Sequence, residues 1–68
     1  MSITLKAARV NKGLTQKEAA AALGIAASTL VKYEAGTTFP DVQVIRKMEE
    51  LYEVSYNDIN FFSDTKTV

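Results

Sequence analysis

Lys6, Arg9, Lys12, Lys17 and Lys32 are five of the eight cationic residues in this 68-residue chain, and over residues 1–32 they are accompanied by one acid, Glu18. Residues 33–68 reverse the balance, with Arg46, Lys47 and Lys66 against Glu34, Asp41, Glu49, Glu50, Glu53, Asp58 and Asp64. The net charge of zero is therefore the sum of +4 (five less one) and −4 (three less seven). Neutrality alone argues against nucleic acid as a partner, but this segregation turns one end of the molecule toward phosphate and the other away. Other chemistries are poorly supplied. The chain has no histidine and no cysteine, which removes thiolate nucleophiles, disulfides and the usual soft or imidazole metal ligands. Its carboxylates are scattered over helix caps and an exposed helix face, and Gly13, Gly24 and Gly36 do not have the spacing of a phosphate cradle. The expectation is no enzyme, no metal and no cofactor.

A chain of this length makes one domain, near the lower limit for folding without staples, so packing or self-association must hold it together. Nothing at its N-terminus resembles a signal peptide, and no apolar run approaches the roughly 18 residues of a membrane span. A soluble, cytoplasmic protein is expected.

The elements that position the charges are punctuated by Gly13, Gly24, Gly36 and Pro40, with apolar residues between them at helical spacing. Five short helices are predicted. The first covers about 4–12, turns Leu5 and Ala8 inward and stops at Gly13. The second opens on a capping box, Thr15 with Glu18, and ends at Gly24. The third covers 27–35 and ends at Gly36. The fourth starts from an Asp41 cap and carries Val44, Ile45, Met48, Leu51 and Tyr52. A shorter fifth begins at Ser55, with Asp58 completing a second capping box, and buries Ile59 and Phe62. Residues 1–62 form the domain, and 63–68 are expected to fray.

The second and third helices are too close in sequence to lie antiparallel; a short turn containing glycine suits a crossing near 90–120°. Such a crossing demands a small residue at the contact, and Ala20 fits. Leu23, Ile25, Leu30 and Tyr33, with Ala19, supply the apolar side. Ala27, Ser28, Val31 and Lys32 are left on the exposed face of the third helix.

Residues 16–35, "QKEAAAALGIAASTLVKYEA", resemble the helix-turn-helix of the Cro and C1 repressor family, also called the XRE family. The flanks agree: "TQ" at Thr15 and Gln16, "YEAG" from Tyr33 to Gly36, "KG" before the motif and "PDVQVIRKMEELYEVS" after it. The resemblance implies an all-α, compact five-helix fold like that of the lambda repressor, with the second helix of the motif in the DNA major groove. It makes Ala27, Ser28, Val31 and Lys32 the base-contacting candidates. Lys32 can donate to guanine O6 and N7, Ser28 can donate or accept, and Ala27 and Val31 offer methyl surface to a thymine methyl. Lys12, Thr15, Gln16, Thr37 and Thr38 are the implied phosphate contacts, Gln16 lying where free helix amides and the positive dipole end face an anion. Arg9 and Glu34 occupy the positions of an internal ion pair between the first and third helices, a structural role. Two positions depart from the family. Ala26 stands where a serine or threonine commonly caps the recognition helix, and Ala27 and Val31 stand where polar side chains are common.

The resemblance also implies a homodimer on a pseudo-palindromic site in double-stranded DNA, with recognition helices about 34 Å apart. Phe39, Tyr56, Phe61 and Phe62 are its expected interface, because so small a domain cannot bury every aromatic ring. The leading expectation is a stand-alone repressor of phage or mobile-element type. Two alternatives stay open: an antitoxin that holds a protein partner with its acidic C-terminal half, and a helical interaction module that does not bind DNA.

Overall fold

In the computed structural model, which describes residues 2–61, the first four predicted helices are present, and three of them start on a side-chain cap. Helix α1 (Leu5–Asn11) is capped by Thr4, whose Oγ1 accepts from the amide of Ala7 at 3.1 Å. Helix α2 (Gln16–Leu23) opens on the reciprocal pair expected of its sequence. Thr15 Oγ1 accepts from Glu18 N at 3.1 Å, and Glu18 Oε1 accepts from Thr15 N at 2.9 Å. Helix α4 (Val42–Tyr52) is capped by Asp41, whose Oδ1 accepts from Val44 N at 3.0 Å. Helix α3 (Ala27–Ala35) differs: Ala26 is its N-cap and supplies no side-chain hydrogen bond. Gly24 and Gly36 end α2 and α3 at φ +75° and +80°, the left-handed conformation glycine adopts without a Cβ clash. Helix α4 ends the same way on Glu53 at φ 56°, where a side chain is disfavoured.

Ala8, Ala19 and Ala20 are almost fully buried beside Leu5, Leu23, Leu30 and Met48. Alanine at these positions brings helix backbones close, and α2 packs on both α3 and α4 while α1 bridges α3 and α4. Ile45 and Tyr52 complete the α4 contribution, with Val44 and Leu51 half-buried at its margin. The predicted inward stripe of that helix is the observed one.

The C-terminal segment corrects the prediction of a fifth helix. Tyr56–Asp58 form a single 3-10 turn, and the chain then extends into a short strand, β2 (Ile59–Asn60). This strand pairs in parallel with β1 (Ile3–Thr4), Ile3 opposite Ile59 and Thr4 opposite Asn60. Ser55 Oγ accepts from Asn57 N at 3.3 Å, and no capping box with Asp58 forms; the Asp58 amide instead donates to the Ser55 carbonyl at 2.8 Å. The physical reason lies in what each conformation can bury. A strand alternates its faces, so Ile59 and Phe61 both enter the core with Asn60 between them. The extended residues ahead of α1 supply the ladder partner. The described residues thus form four α-helices clasped by a two-stranded parallel pairing of β1 with β2. Phe62, expected in the core and at the interface, and the tail 63–68 lie outside the described residues.

Candidate nucleic-acid interface

The geometry of α3 starts from its buried side. Leu30 is fully buried, Tyr33 and Ile25 are half-buried, and Gly24 closes α2 tightly enough for α3 to cross it. The opposite side presents Ala27, Ser28, Val31 and Lys32, all exposed, in the i, i+1, i+4, i+5 spacing that makes one helix face. Val31 is 44 % exposed although it is a valine. Ala26 offers no side-chain cap and Ser28 does not replace it, so the first turn of α3 lacks a side-chain acceptor for its amides.

A polar cluster holds this helix from behind. Arg9, 7 % exposed, donates from Nε to Glu34 Oε2 at 2.7 Å and from Nη2 to Oε1 at 3.3 Å, while its Nη1 donates to the carbonyl of Leu14 at 2.8 Å. The guanidinium thereby links α1, the loop before α2 and α3. A forked, nearly buried contact of this kind constrains orientation more than it adds net stability. Gln16 joins the cluster: its Nε2 donates to Glu34 Oε1 at 3.0 Å. The residue expected at a phosphate is therefore also a ligand of the carboxylate that fixes α3. The side chain is half-buried, in the first turn of α2.

The other expected phosphate contacts fall into two kinds. Thr15 and Thr38 are exposed, Thr15 being already used in its cap. Thr37 is exposed too, and its Oγ1 donates to the Lys32 carbonyl at 3.2 Å, securing the end of α3. Lys12 does not stand free. Its Nζ lies 2.6 Å from Glu53 Oε2, and this hydrogen bond and charge hold the Glu53 carboxyl below its usual range. The exposed cations carried on α2 and α3 themselves are Lys17 and Lys32.

Among the expected interface aromatics, Phe39 and Tyr56 are 54 % and 47 % exposed, whereas Phe61 is 8 % exposed. Phe61 is mostly buried, two residues after the buried Ile59, with its ring against those of Phe39 (centroids 4.9 Å apart) and Tyr56 (5.6 Å). The exposed rings border a shallow groove with Val42, Ile45, Arg46 and Glu49. Val42, 64 % exposed, was not foreseen, although its signal is in the sequence: it lies off the 44, 45, 48, 51, 52 stripe of α4 and is apolar. The Gln16–Glu34 and Lys12–Glu53 bonds had no such signal, since each joins residues remote in the chain.

Among the described residues no group of side chains could hold a metal ion, and no helix is long and apolar enough to cross a membrane. No solved structure matches the chain. It is 45 % identical over 51 residues to the HTH-type transcriptional regulator ImmR of Bacillus subtilis (strain 168), an alignment covering 75 % of this chain and 40 % of that protein. A family model described as helix-turn-helix matches residues 5–59, from the first residue of α1 to the first of β2. With its capped α2, its glycine turn and its braced, outward-facing α3, the chain belongs to the XRE-type helix-turn-helix family.

Proposed function

We propose that this protein is a repressor that binds a pseudo-palindromic operator as a dimer and acts by occupying it against polymerase, in the cytoplasm, where its DNA is. The observation that carries the reading is the exposed face of α3. Ala27, Ser28, Val31 and Lys32 point outward from a helix whose angle is set from behind by Arg9, Glu34 and Gln16. In the major groove, Lys32 supplies the one charged donor to a guanine edge, Ser28 a neutral hydrogen bond, and Ala27 and Val31 methyl contact with thymine. Lys17, Thr15, Gln16, Thr37 and Thr38 meet the backbone around it, with Lys12 joining once it leaves Glu53. Few donors read bases, so a single copy discriminates weakly and the spacing of two half-sites supplies much of the specificity.

The second copy is proposed to seat on the groove of Phe39, Val42 and Tyr56. Arg46 and Glu49 border this groove three residues apart on α4 with opposite charge, so a two-fold axis sets Arg46 of one copy toward Glu49 of the other. A second copy is favoured over an unrelated protein partner because the patch is complementary to itself. A phage or mobile-element setting follows from the repressor resemblance of the motif.

Selection of bound duplexes from a random pool tests the whole reading. Recovery of an inverted repeat with half-sites about one helical turn apart supports it. Recovery of no enriched sequence removes it and leaves the helical interaction module.

A further inference from the structure

The outward face of α3 sorts into two adjoining strips. Ala27 and Val31 are four residues apart, as are Ser28 and Lys32, so the members of each pair stack along the helix, about 6 Å apart on its axis. One strip carries only methyl groups and the other only polar ends, and all four side chains are exposed. On its other side α3 buries Leu30 and half-buries Thr29, Tyr33 and Glu34, so the methyl strip is apolar surface that the fold itself does not use. Base edges in the major groove offer one apolar substituent, the C5 methyl of thymine; the groups that otherwise tell the bases apart there are hydrogen-bond donors and acceptors. The methyl strip has a single kind of group to prefer.

That methyl is not confined to thymine. 5-Methylcytosine carries it at the same place and differs at position 4, where thymine has an accepting oxygen and cytosine a donating amine. Ala27 and Val31 have no polar side-chain atom with which to tell the two apart. Lys32, which only donates, would penalise the amine, but it stands on the other strip; Ser28 accepts from an amine as readily as it donates to an oxygen. We propose that α3 reads the pyrimidine C5 methyl as such, so that DNA carrying 5-methylcytosine in place of thymine beneath the Ala27–Val31 strip is a ligand of this protein, and C5 methylation of cytosine there strengthens binding. Burial of one further methyl group against the strip corresponds to a gain of about fourfold per half-site. This inference rests on the DNA-binding reading, and specifically on α3 lying in the major groove.

Base analogues test it without altering the protein. In the duplex recovered by selection, each thymine of a half-site is replaced in turn by uracil, which pairs alike and lacks only the methyl. Where uracil weakens binding, the thymine–adenine pair is exchanged for cytosine–guanine and for 5-methylcytosine–guanine, two duplexes that differ by the methyl group alone. Affinities are measured at low salt, where the weaker duplexes still bind. Uracil is expected to weaken binding about fourfold per half-site, and 5-methylcytosine to bind about fourfold more tightly than cytosine. Both differences should shrink in Val31→Ser or in Ala27→Ser, two exposed positions whose folding is checked by circular dichroism. Uracil tolerated at every position, or equal affinity for cytosine and 5-methylcytosine, overturns the proposal while DNA binding stands. Methyl differences that persist undiminished in both variants overturn the assignment to this strip. If the native chain enriches no duplex, the underlying reading falls and takes the inference with it.

Discussion

The guanidinium of Arg9 and the carboxylate of Glu34, twenty-five residues apart, meet at 2.7 Å with their side chains 9 % and 5 % exposed. The pair joins the first helix to the recognition helix, and its energetics differ from those of a surface bridge. Both charges have lost water, so either one left alone is costly, whereas an apolar pair of similar size can be tolerated. Arg9→Met or Glu34→Gln alone is expected to destabilise by about 3–5 kcal/mol. The double variant should lose less than the sum. Denaturant unfolding of the four proteins checks this, and strict additivity would show that the two residues do not act as a pair.

Helix α3 begins without a side-chain cap at Ala26. Ala26→Ser should therefore add about 1 kcal/mol of stability, visible as a higher unfolding midpoint at unchanged denaturant slope. No gain would mean that the amide end of α3 is already satisfied in solution.

Lys32 is the one charged side chain on the proposed reading face. Lys32→Ala is expected to weaken binding to the selected duplex by about 1–3 kcal/mol per half-site and to relax the preference at one or two base pairs. Repeating the selection with the variant checks this. Unchanged preference would remove Lys32 from base recognition and place it among the phosphate contacts.

Glu53 ties up Lys12 and also holds a left-handed backbone without being glycine. Removing its charge with Glu53→Gln should release Lys12 toward phosphate, steepening the log–log salt dependence of a dimer by about 2, close to one released counterion per copy. The pH behaviour has a definite sign. Lys12 lowers the Glu53 pKa in the folded chain, so the contribution of this pair is present above the ordinary glutamate range and lost as pH falls through the depressed value. Because Glu53 is open to solvent, the pair should make only a faint acid limb. An unchanged salt slope in Glu53→Gln would mean that Lys12 stays away from the backbone.

Tyr52 gives the opposite limb. Its folded pKa of about 12 exceeds the ordinary value of 10.0, so the neutral phenol is favoured by folding. That contribution is complete below pH 10 and disappears as pH rises through about 12. Unfolding temperatures followed from pH 8 upward should fall more steeply for the native chain than for Tyr52→Phe over that window; superimposable curves would contradict a buried phenol.

The groove of Phe39, Val42 and Tyr56 predicts its own disruption. Val42→Lys should shift sedimentation toward the monomer and abolish cooperative occupation of two half-sites while leaving the fold intact, since Val42 is largely exposed. Mixing Arg46→Glu chains with Glu49→Lys chains should restore a heterodimer that neither variant forms with itself. Glu49 Oε2 also accepts from the Tyr56 amide at 2.7 Å, so the folding of Glu49→Lys is checked by circular dichroism first. A native chain that remains monomeric on its operator would discard the groove as a dimer face.

The sequence by itself determined the elements whose cause is local. Thr15 with Glu18, Asp41 ahead of Val42, and Gly24 and Gly36 after their helices act within one turn, through single hydrogen bonds or a backbone conformation. The helix-turn-helix and its outward face were legible for the same reason: Ala20, Gly24 and Leu30 carry their packing in their size and spacing. The tertiary structure decided what depends on distant segments meeting. Whether Ser55 began a helix or a single turn was settled by an extended strand at the other end of the chain, because Ile59 could pair with Ile3 and bury itself together with Phe61. That Phe61 is core while Phe39 and Tyr56 remain at the surface follows from this alternation, to which composition is blind. The partners of Gln16 and Lys12, and the burial of the Tyr52 hydroxyl, likewise depend on the fold. Their side chains are ordinary in sequence and acquire their roles from Glu34, Glu53 and burial, supplied by helices that come together only when the whole domain closes.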